Sequence, residues 1–126
     1  MQDRIETLRK MYPKGARVEL IRMNDIQSPK AGTLGTVIGV DDIGSIMVRW
    51  DTGSSLNVIL DEDLCFIHEP IKTICYKKEQ TWNKRAEALD FFYDCVANSE
   101  GSERDRYLNI IDDIVAGKTV CVDIQF

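Results

Sequence analysis

The sequence is poor in the groups that usually build metal centres and catalytic sites. It has one histidine, His68, and four widely spaced cysteines without a C-x-x-C pair. Structural zinc usually needs four converging ligands and such a pair, so the spacing of Cys65, His68 and Cys75 argues against it. Nucleophile-elbow, phosphate-loop, HExxH and dinucleotide motifs are also missing. We therefore expect no catalytic residue, metal or cofactor, although the abundant carboxylates leave an acid pair open.

Long apolar runs are missing too. No run approaches the roughly 20 residues that a membrane-spanning helix requires. No apolar signal segment precedes the cysteines, and a chain of 126 residues with 44% hydrophobic content needs no disulfide to form one core or two small ones. These features predict a protein without membrane contact, in a reducing cytosol, with cysteines as small core residues.

Positive charge is scarce relative to negative charge. Sixteen basic and 21 acidic residues give a net charge of −5, which argues against a general, phosphate-driven nucleic-acid binder. A basic stretch within residues 9–22 still leaves a local nucleic-acid contact open. A solvated surface of mixed charge is the favoured interpretation of this pattern.

The first half of the chain has the pattern of a small β protein. An amphipathic helix is expected in the first twelve residues, ended by Pro13. Short β-rich runs then extend to about residue 68, and Gly35 and Gly39 suit the sharp coiling of a sheet that closes on itself. We expect five strands in an SH3-like barrel, with a helical turn at "DEDL" before a last strand, Leu64–Ile67.

The run "IMVRWDTGSSLNVI" indicates which side chains of the barrel face the solvent. Strand alternation places Ile46, Val48 and Trp50 on one face and Arg49 on the other. Large aromatic side chains at such positions usually pack inside. We therefore expect the indole in the core or at its rim and the guanidinium next to it in solvent.

The second half has a helical pattern after a connection. Residues 70–81 are interpreted as this connection, with room for a strand around residues 73–76. "WNKRAEALDFFYDCVANSEG" predicts a helix with Asn83 as cap. The residues expected to form its buried stripe are Leu89, Phe92, Tyr93 and Val96.

A second helix and a closing strand are expected next. Ser102 with Asp105 resembles a capping box, and Gly117 suits a helix terminator. "KTVCVDI" then predicts a strand. The predicted fold class is α+β: an N-terminal helix and SH3-like five-stranded barrel in residues 1–69, then a helix hairpin plus a short strand in residues 70–126. The expected buried stripe of the second helix is Tyr107, Ile110, Ile111 and Ile114.

Three side chains of the helical half are candidates for contacts outside their own helix. Phe91 lies off the apolar stripe, which makes it a contact with the barrel, the favoured interpretation, or an exposed anchor. Arg104 and Arg106 leave the second helix on flanking sides. They pair with the acids of "SEGSERDR" or reach a partner.

Three blocks of the first half resemble a known domain family: "YPKGARVELIRMND" (12–25), "GTLGTVIGVDD" (32–42) and "VRWDTGSSL" (48–56). Members of this family occur in bacteriophages, plasmids and integrative elements of Gram-positive bacteria, and carry Y-P-x-G-x-x-V-x-L and V-x-W-D-x-G at matching spacing. The resemblance covers about half the chain. The helical half is similar to a companion module from the same setting. Neither family brings catalytic residues.

The resemblance implies a non-enzymatic accessory protein that binds a macromolecule in the cytoplasm of a bacterial host cell. The first expectation is an inhibitor of host defence, of the anti-CRISPR type, whose partner is a host protein or ribonucleoprotein effector. The alternative is a nucleic-acid-binding accessory for replication or transfer of the element; an enzyme has the least support. The sequence leaves the oligomeric state open. The candidate binding residues are Tyr12, Lys14, Arg17, Arg22, Arg49, Phe91, Arg104 and Arg106.

Overall fold

The computed structural model describes residues 2–124 and has the predicted α+β class. The chain divides into two compact units, Met1–His68 and Glu69–Phe126. The elements of the first are α1 (Gln2–Met11), β1 (Arg17–Arg22), β2 (Leu34–Val40), β3 (Ile46–Trp50) and β4 (Leu64–Ile67). Those of the second are β5 (Ile71–Cys75), β6 (Lys78–Trp82), α2 (Arg85–Ala97), α3 (Gly101–Val115) and β7 (Val120–Val122).

The first unit is an antiparallel sheet with a helix against it. Its strands follow the order β3-β2-β1-β4. The expected N-terminal helix is confirmed, and Pro13 follows its end, where a missing N–H and a fixed φ stop helix propagation. Leu8 of α1 and Tyr12 just after it are buried in the same core as Val18, Val48 and the other inward residues of the strands.

The strand between β3 and β4 is much shorter than expected. The run from Leu56 to Leu60 contributes only one bridge, between Val58 and Ile46, with backbone hydrogen bonds of 2.8 and 2.9 Å. The turn before β4 is present, since the N–H of Asp63 donates to the carbonyl of Ile59 at 2.7 Å. The described sheet thus has four strands and one bridge.

Trp50 lies inside the first unit, as alternation predicts. Its side chain is 1% exposed, and its Nε1 donates to the Leu56 carbonyl at 2.9 Å. Gly35 makes room for it: a Cβ there would lie 2.7 Å from the indole and 2.6 Å from Val48. Arg49 is exposed. The indole therefore belongs to the core and the neighbouring guanidinium to the surface.

The connection expected at residues 70–81 is a β-hairpin: the strand allowed for around residues 73–76 is present as β5, and β6 was not expected. β5 and β6 pair antiparallel through a two-residue turn, and β7 pairs parallel with β5, giving the order β6-β5-β7. Four of the five residues of β6 are exposed, so the strand has no apolar alternation. Its turn, Tyr76-Lys77, also lacks the glycine or asparagine that usually indicates a tight hairpin.

Both predicted helix caps are wrong by one or two residues. α2 has Lys84 at the N-cap position in place of Asn83, and α3 has Glu100 in place of Ser102; neither cap side chain makes a cap hydrogen bond. The expected terminator is confirmed, since Gly117 adopts a φ of 86° after α3.

The buried stripe of α2 is also shifted. Tyr93 is 52% exposed and Val96 only half-buried, whereas Arg85 and Ala88 are buried with the expected Leu89 and Phe92. These four buried positions follow the i, i+3, i+4, i+7 spacing of one helix face. In α3 the three isoleucines are buried as predicted, and Tyr107 is half-buried.

The buried Arg85 caps the C-terminal end of α3. Its guanidinium donates to the carbonyls of Ile114 (3.1 Å), Gly117 (3.2 Å) and Lys118 (2.9 Å). The last carbonyls of a helix have no partners within it, and they attract a cation. A buried arginine of α2 therefore links the two helices of the second unit.

Candidate functional site

A row of polar side chains crosses the outer face of the first sheet. The strand register places Arg17 of β1 opposite Thr36 of β2, and Thr36 opposite Arg49 of β3. Lys14 joins Thr36 and Arg49 around an open depression of about 290 Å³. The structure thus brings together Lys14, Arg17 and Arg49 of the predicted site residues.

The charge of this row is partly balanced. Arg17 donates through Nη1 to Asp51 at 2.8 Å and to Thr36 Oγ1 at 2.9 Å, and its Nη2 also bonds the Asp51 carboxylate. The hydrogen bonds to Asp51 raise the Arg17 pKa further above its ordinary value. Lys14 and Arg49 form no ion pair within residues 2–124. They are the net positive part of the row.

Two predicted residues of the first unit lie elsewhere. Tyr12 is buried, its hydroxyl lies 3.3 Å from the Cys65 carbonyl, and burial raises its pKa to about 12. Its prediction as a surface contact is corrected, because the ring packs in the core. Arg22 is exposed at the other end of β1, beyond the register shift that follows Leu20.

The second unit contains a cluster of aromatic rings. Phe91 lies 5.5 Å from Trp82 and 5.0 Å from Phe92 between ring centroids, and Phe92 lies 6.3 Å from Tyr107. Such spacings are typical of favourable tilted and edge-to-face pairs. Phe91 is nevertheless 46% exposed. It is both part of the aromatic packing and part of the surface.

Phe91, Phe92 and Tyr107 of this cluster line an open cavity of about 350 Å³, which we call the aromatic cavity. β5 and β6 provide one wall and α2 and α3 the other. Lys78 is the one charged side chain that lines it. A cavity of this size with mostly apolar walls and few polar groups is suited to an apolar side chain or a small ring. Its lining residues are Thr73, Cys75, Tyr76, Lys78, Gln80, Phe91, Phe92, Cys95 and Tyr107.

The turn between β5 and β6 holds Tyr76 at the edge of this cavity in an unfavourable backbone conformation. Tyr76 and Lys77 have φ values of 51° and 65°, a region that disfavours residues with a Cβ. Asp123 stabilises the turn by accepting the Tyr76 N–H at 2.8 Å and Arg106 Nη1 at 2.8 Å. The Arg106 guanidinium also lies 4.5 Å above the Tyr76 ring. The turn is therefore fixed by the end of β7 and by α3.

The carboxylate of Asp123 is kept ionised by these contacts. Burial alone raises its pKa, but the hydrogen bonds from the Tyr76 N–H and Arg106 outweigh burial, so that the pKa lies below the ordinary value. Arg106, a predicted binding residue, is thus engaged within its own unit. Arg104 is exposed and forms no ion pair in the described part of the chain.

The cysteines of the aromatic cavity are poor nucleophiles at neutral pH. Burial, with a smaller effect of Asp123, raises the pKa of Cys75 to about 11, and burial also raises the pKa of Cys95. Thiols with such values are protonated at pH 7. Among residues 2–124 no group of three or more His, Cys, Asp or Glu side chains is placed to hold a metal ion.

Sequence reasoning found Phe91 but missed the rest of the aromatic cavity. Lys78 and Gln80 belong to a strand that was interpreted as a connection, and Tyr76 belongs to a turn without a turn-type sequence. Tyr107 was expected in the core, not at a cavity wall. The sequence contains no clear signal for this hairpin, because "KEQTW" has neither strong β propensity nor apolar alternation.

The fold and these two surfaces define the class of protein: an α+β protein of two compact units, one with a basic sheet face and one with an aromatic cavity. The family model described as Domain of unknown function (DUF4314) matches residues 1–67, more than half of the chain, and the chain belongs to this family. Comparison with curated proteins and with solved structures found no match. No described helix is long and apolar enough to cross a membrane.

Proposed function

We propose that the protein is a non-enzymatic accessory of a phage or mobile element that binds and inhibits a host defence effector, as anti-CRISPR proteins do. Its partner is a host protein or ribonucleoprotein in the bacterial cytoplasm. The mobile-element setting comes from the sequence resemblance described above. The protein-binding role is supported by the surface of the second unit.

The exposure of aromatic side chains in the second unit is the observation that carries this proposal. Tyr76 is 53% exposed, Tyr93 52% and Phe91 46%. Tyr and Phe are enriched in protein interfaces because a rigid ring buries a large area at a small cost in side-chain entropy. Two of these rings, Tyr76 and Phe91, line the open aromatic cavity, and such exposed rings favour a protein partner.

The first unit contributes a scaffold in this proposal. We interpret it as an SH3-like barrel, supported by the antiparallel order of its strands, its two register shifts and the bridge between Ile46 and Val58. Such folds serve many unrelated tasks, so the fold alone identifies no ligand.

Affinity capture with the full chain from a host lysate, together with a phage-survival assay in cells that have an active defence system, tests the proposal. We expect recovery of a defence effector and loss of immunity. Tyr93→Ser removes an exposed ring and should weaken both effects. Ile43→Ser removes an apolar side chain of the first unit that is 85% exposed, against 52% for Tyr93, and is the control. Intact immunity in cells that express the protein would contradict the proposal.

A nucleic-acid-binding accessory is the second candidate. Lys14 and Arg49, exposed at one depression without ion pairs in the described residues, are the observation that favours it. Lys and Arg side chains that contact phosphates release counterions, so affinity falls steeply with salt. Salt-titrated binding of single- and double-stranded DNA and RNA tests it, with Lys14→Ala and Arg49→Ala expected to reduce the salt slope. Absence of binding at low salt would rule this candidate out.

A further inference from the structure

The outer edge of β6 is open for pairing. β6 is the terminal strand of its sheet, and within residues 2–124 no strand pairs with its outer side. Its residues 78–81 are exposed. An open strand edge is the structural requirement for a partner segment to add a further strand.

The register shows which backbone groups face outward. The N–H of Lys72 donates to Thr119 and the carbonyl of Ile74 accepts from Asp123, so both residues of β5 turn toward β7. Thr81 and Glu79 are their antiparallel partners on β6. Because hydrogen-bonded and non-bonded pairs alternate in such ladders, the N–H and C=O groups of Glu79 and Thr81 point away from β5. They are available to another strand.

The same edge leads into the aromatic cavity. Lys78 and Gln80 of β6 line it, together with Phe91 of α2 and Tyr107 of α3. In a strand added beside β6, every second side chain would point to this face of the sheet. One of them would reach the cavity, whose volume of about 350 Å³ and aromatic walls suit a ring.

The charge at the β6 edge indicates which residues of the added strand lie next to its aromatic residue. Lys77 and Lys78 form no ion pair in the described part of the chain, whereas Lys72 of the neighbouring strand lies 3.7 Å from Glu79. Lys78 also lines the cavity. Carboxylates on the added strand would complement these two ammonium groups.

A second copy of the chain fits this edge less well. Antiparallel pairing of two β6 strands about Gln80 would place Lys78 opposite Trp82 and would supply no carboxylate to Lys77 or Lys78. We propose that the β6 edge binds an extended, acidic segment of a partner protein and that the aromatic cavity receives an aromatic side chain of that segment. This inference rests on the proposed function as a protein-binding accessory.

Selection of displayed ten-residue random peptides on the full chain tests the inference, followed by calorimetry with the most enriched peptide. We expect enrichment of sequences with an aromatic residue flanked by Asp or Glu. Thr81→Pro removes one outward N–H and should weaken binding at least tenfold, whereas Thr81→Val keeps that N–H and should bind as the wild type does. Lys78→Glu should also weaken binding, unlike Lys10→Glu in α1, which changes the net charge equally.

The outcomes separate this inference from the proposed function. Enrichment of basic peptides, no enrichment, or equal binding by Thr81→Pro and Thr81→Val would overturn the β6 site. Sedimentation that shows a dimer lost in Thr81→Pro would overturn it in favour of a second copy. If a defence effector is captured equally well by Thr81→Pro and Lys78→Glu, the proposed function stands and only the site is wrong.

Discussion

The two units differ in how they expose their large apolar side chains. In the first unit Trp50 and the other large core residues are buried, and several surface arginines pair with acids, as Arg9 does with Asp42 and Arg17 with Asp51. Its most exposed apolar residues, Ile26 and Ile43, lie singly on loops.

In the second unit three charged side chains are buried, and the rings of Tyr76, Phe91 and Tyr93 are about half exposed. Arg85, Asp113 and Asp123 are buried and bond backbone groups at the ends of helices and strands. Buried charges of this kind fix the arrangement of elements when a small module has few apolar residues to do so. The first unit therefore exposes large apolar side chains singly, whereas the second exposes two rings, Tyr76 and Phe91, at one cavity.

Among the substitutions that test this comparison, loss of Arg85 should reduce the stability of the protein most. Arg85→Ala leaves the carbonyls of Ile114, Gly117 and Lys118 without their donor, and we expect a loss of about 4 kcal/mol in the free energy of unfolding. Urea denaturation followed by circular dichroism measures it. Lys84→Ala, at the neighbouring N-cap position, should cost less than about 1 kcal/mol. Equal effects of the two variants would show that the buried cation has no special role.

A substitution in the tightly packed core of the first unit should cause the next largest loss of stability. Gly35→Ala would place a Cβ within 3.0 Å of Val48, Trp50 and the Arg49 carbonyl, and we expect a loss of about 3 kcal/mol from overpacking. Gly39→Ala, on the same strand, meets only the flexible end of Met47 at 3.4 Å. It should change stability by less than about 1 kcal/mol. Thermal unfolding of both variants checks this, and a tolerated Gly35→Ala would contradict the described packing of Trp50.

The ionised Asp123 predicts a pH-dependent effect in the second unit. Because the folded pKa lies below the ordinary aspartate value of ~3.9, its stabilisation is complete above that value and is lost as pH falls through the folded pKa. Asp123→Asn should cost about 2 kcal/mol at pH 7, since it weakens hydrogen bonds to a charged group. The difference from the wild type should shrink below pH ~4 in urea denaturation at several pH values. A difference independent of pH would show that the charge itself contributes nothing.

The surface ion pair between Arg17 and Asp51 should contribute least to stability. Both side chains are about half exposed, and a double-mutant cycle with Arg17→Ala and Asp51→Ala should give a coupling energy below ~1 kcal/mol that decreases with salt. Because Asp51 balances Arg17, Asp51→Asn should also strengthen any nucleic-acid binding by the first unit. A coupling energy of several kcal/mol that does not change with salt would contradict this prediction, because it would show that the pair contributes substantially to the stability of the sheet.

Sequence reasoning succeeded where apolar alternation was strong. The N-terminal helix, the last strand of the first unit and the buried Trp50 with exposed Arg49 were predicted correctly, because one buried face specifies strand register. The fifth expected strand is reduced to a bridge at Val58, because alternation does not predict how many residues of a run pair with a neighbouring strand.

The second unit was predicted less well for physical reasons. β6 is an exposed edge strand without apolar alternation, and its turn uses Tyr76 and Lys77 because contacts to Asp123 and Arg106, distant in sequence, offset the backbone strain. Arg85 is buried for a similar reason, since its partners lie about 30 residues later. Local patterns do not contain such contacts, and the aromatic cavity depends on them.

The binding role of the second unit is tested most directly by hydrogen exchange of the full chain, alone and with the effector recovered by capture. The account predicts slowed amide exchange at residues 78–82 and around Phe91, with little change at Lys14, Thr36 and Arg49. Slowed exchange confined to the basic sheet face of the first unit would contradict it.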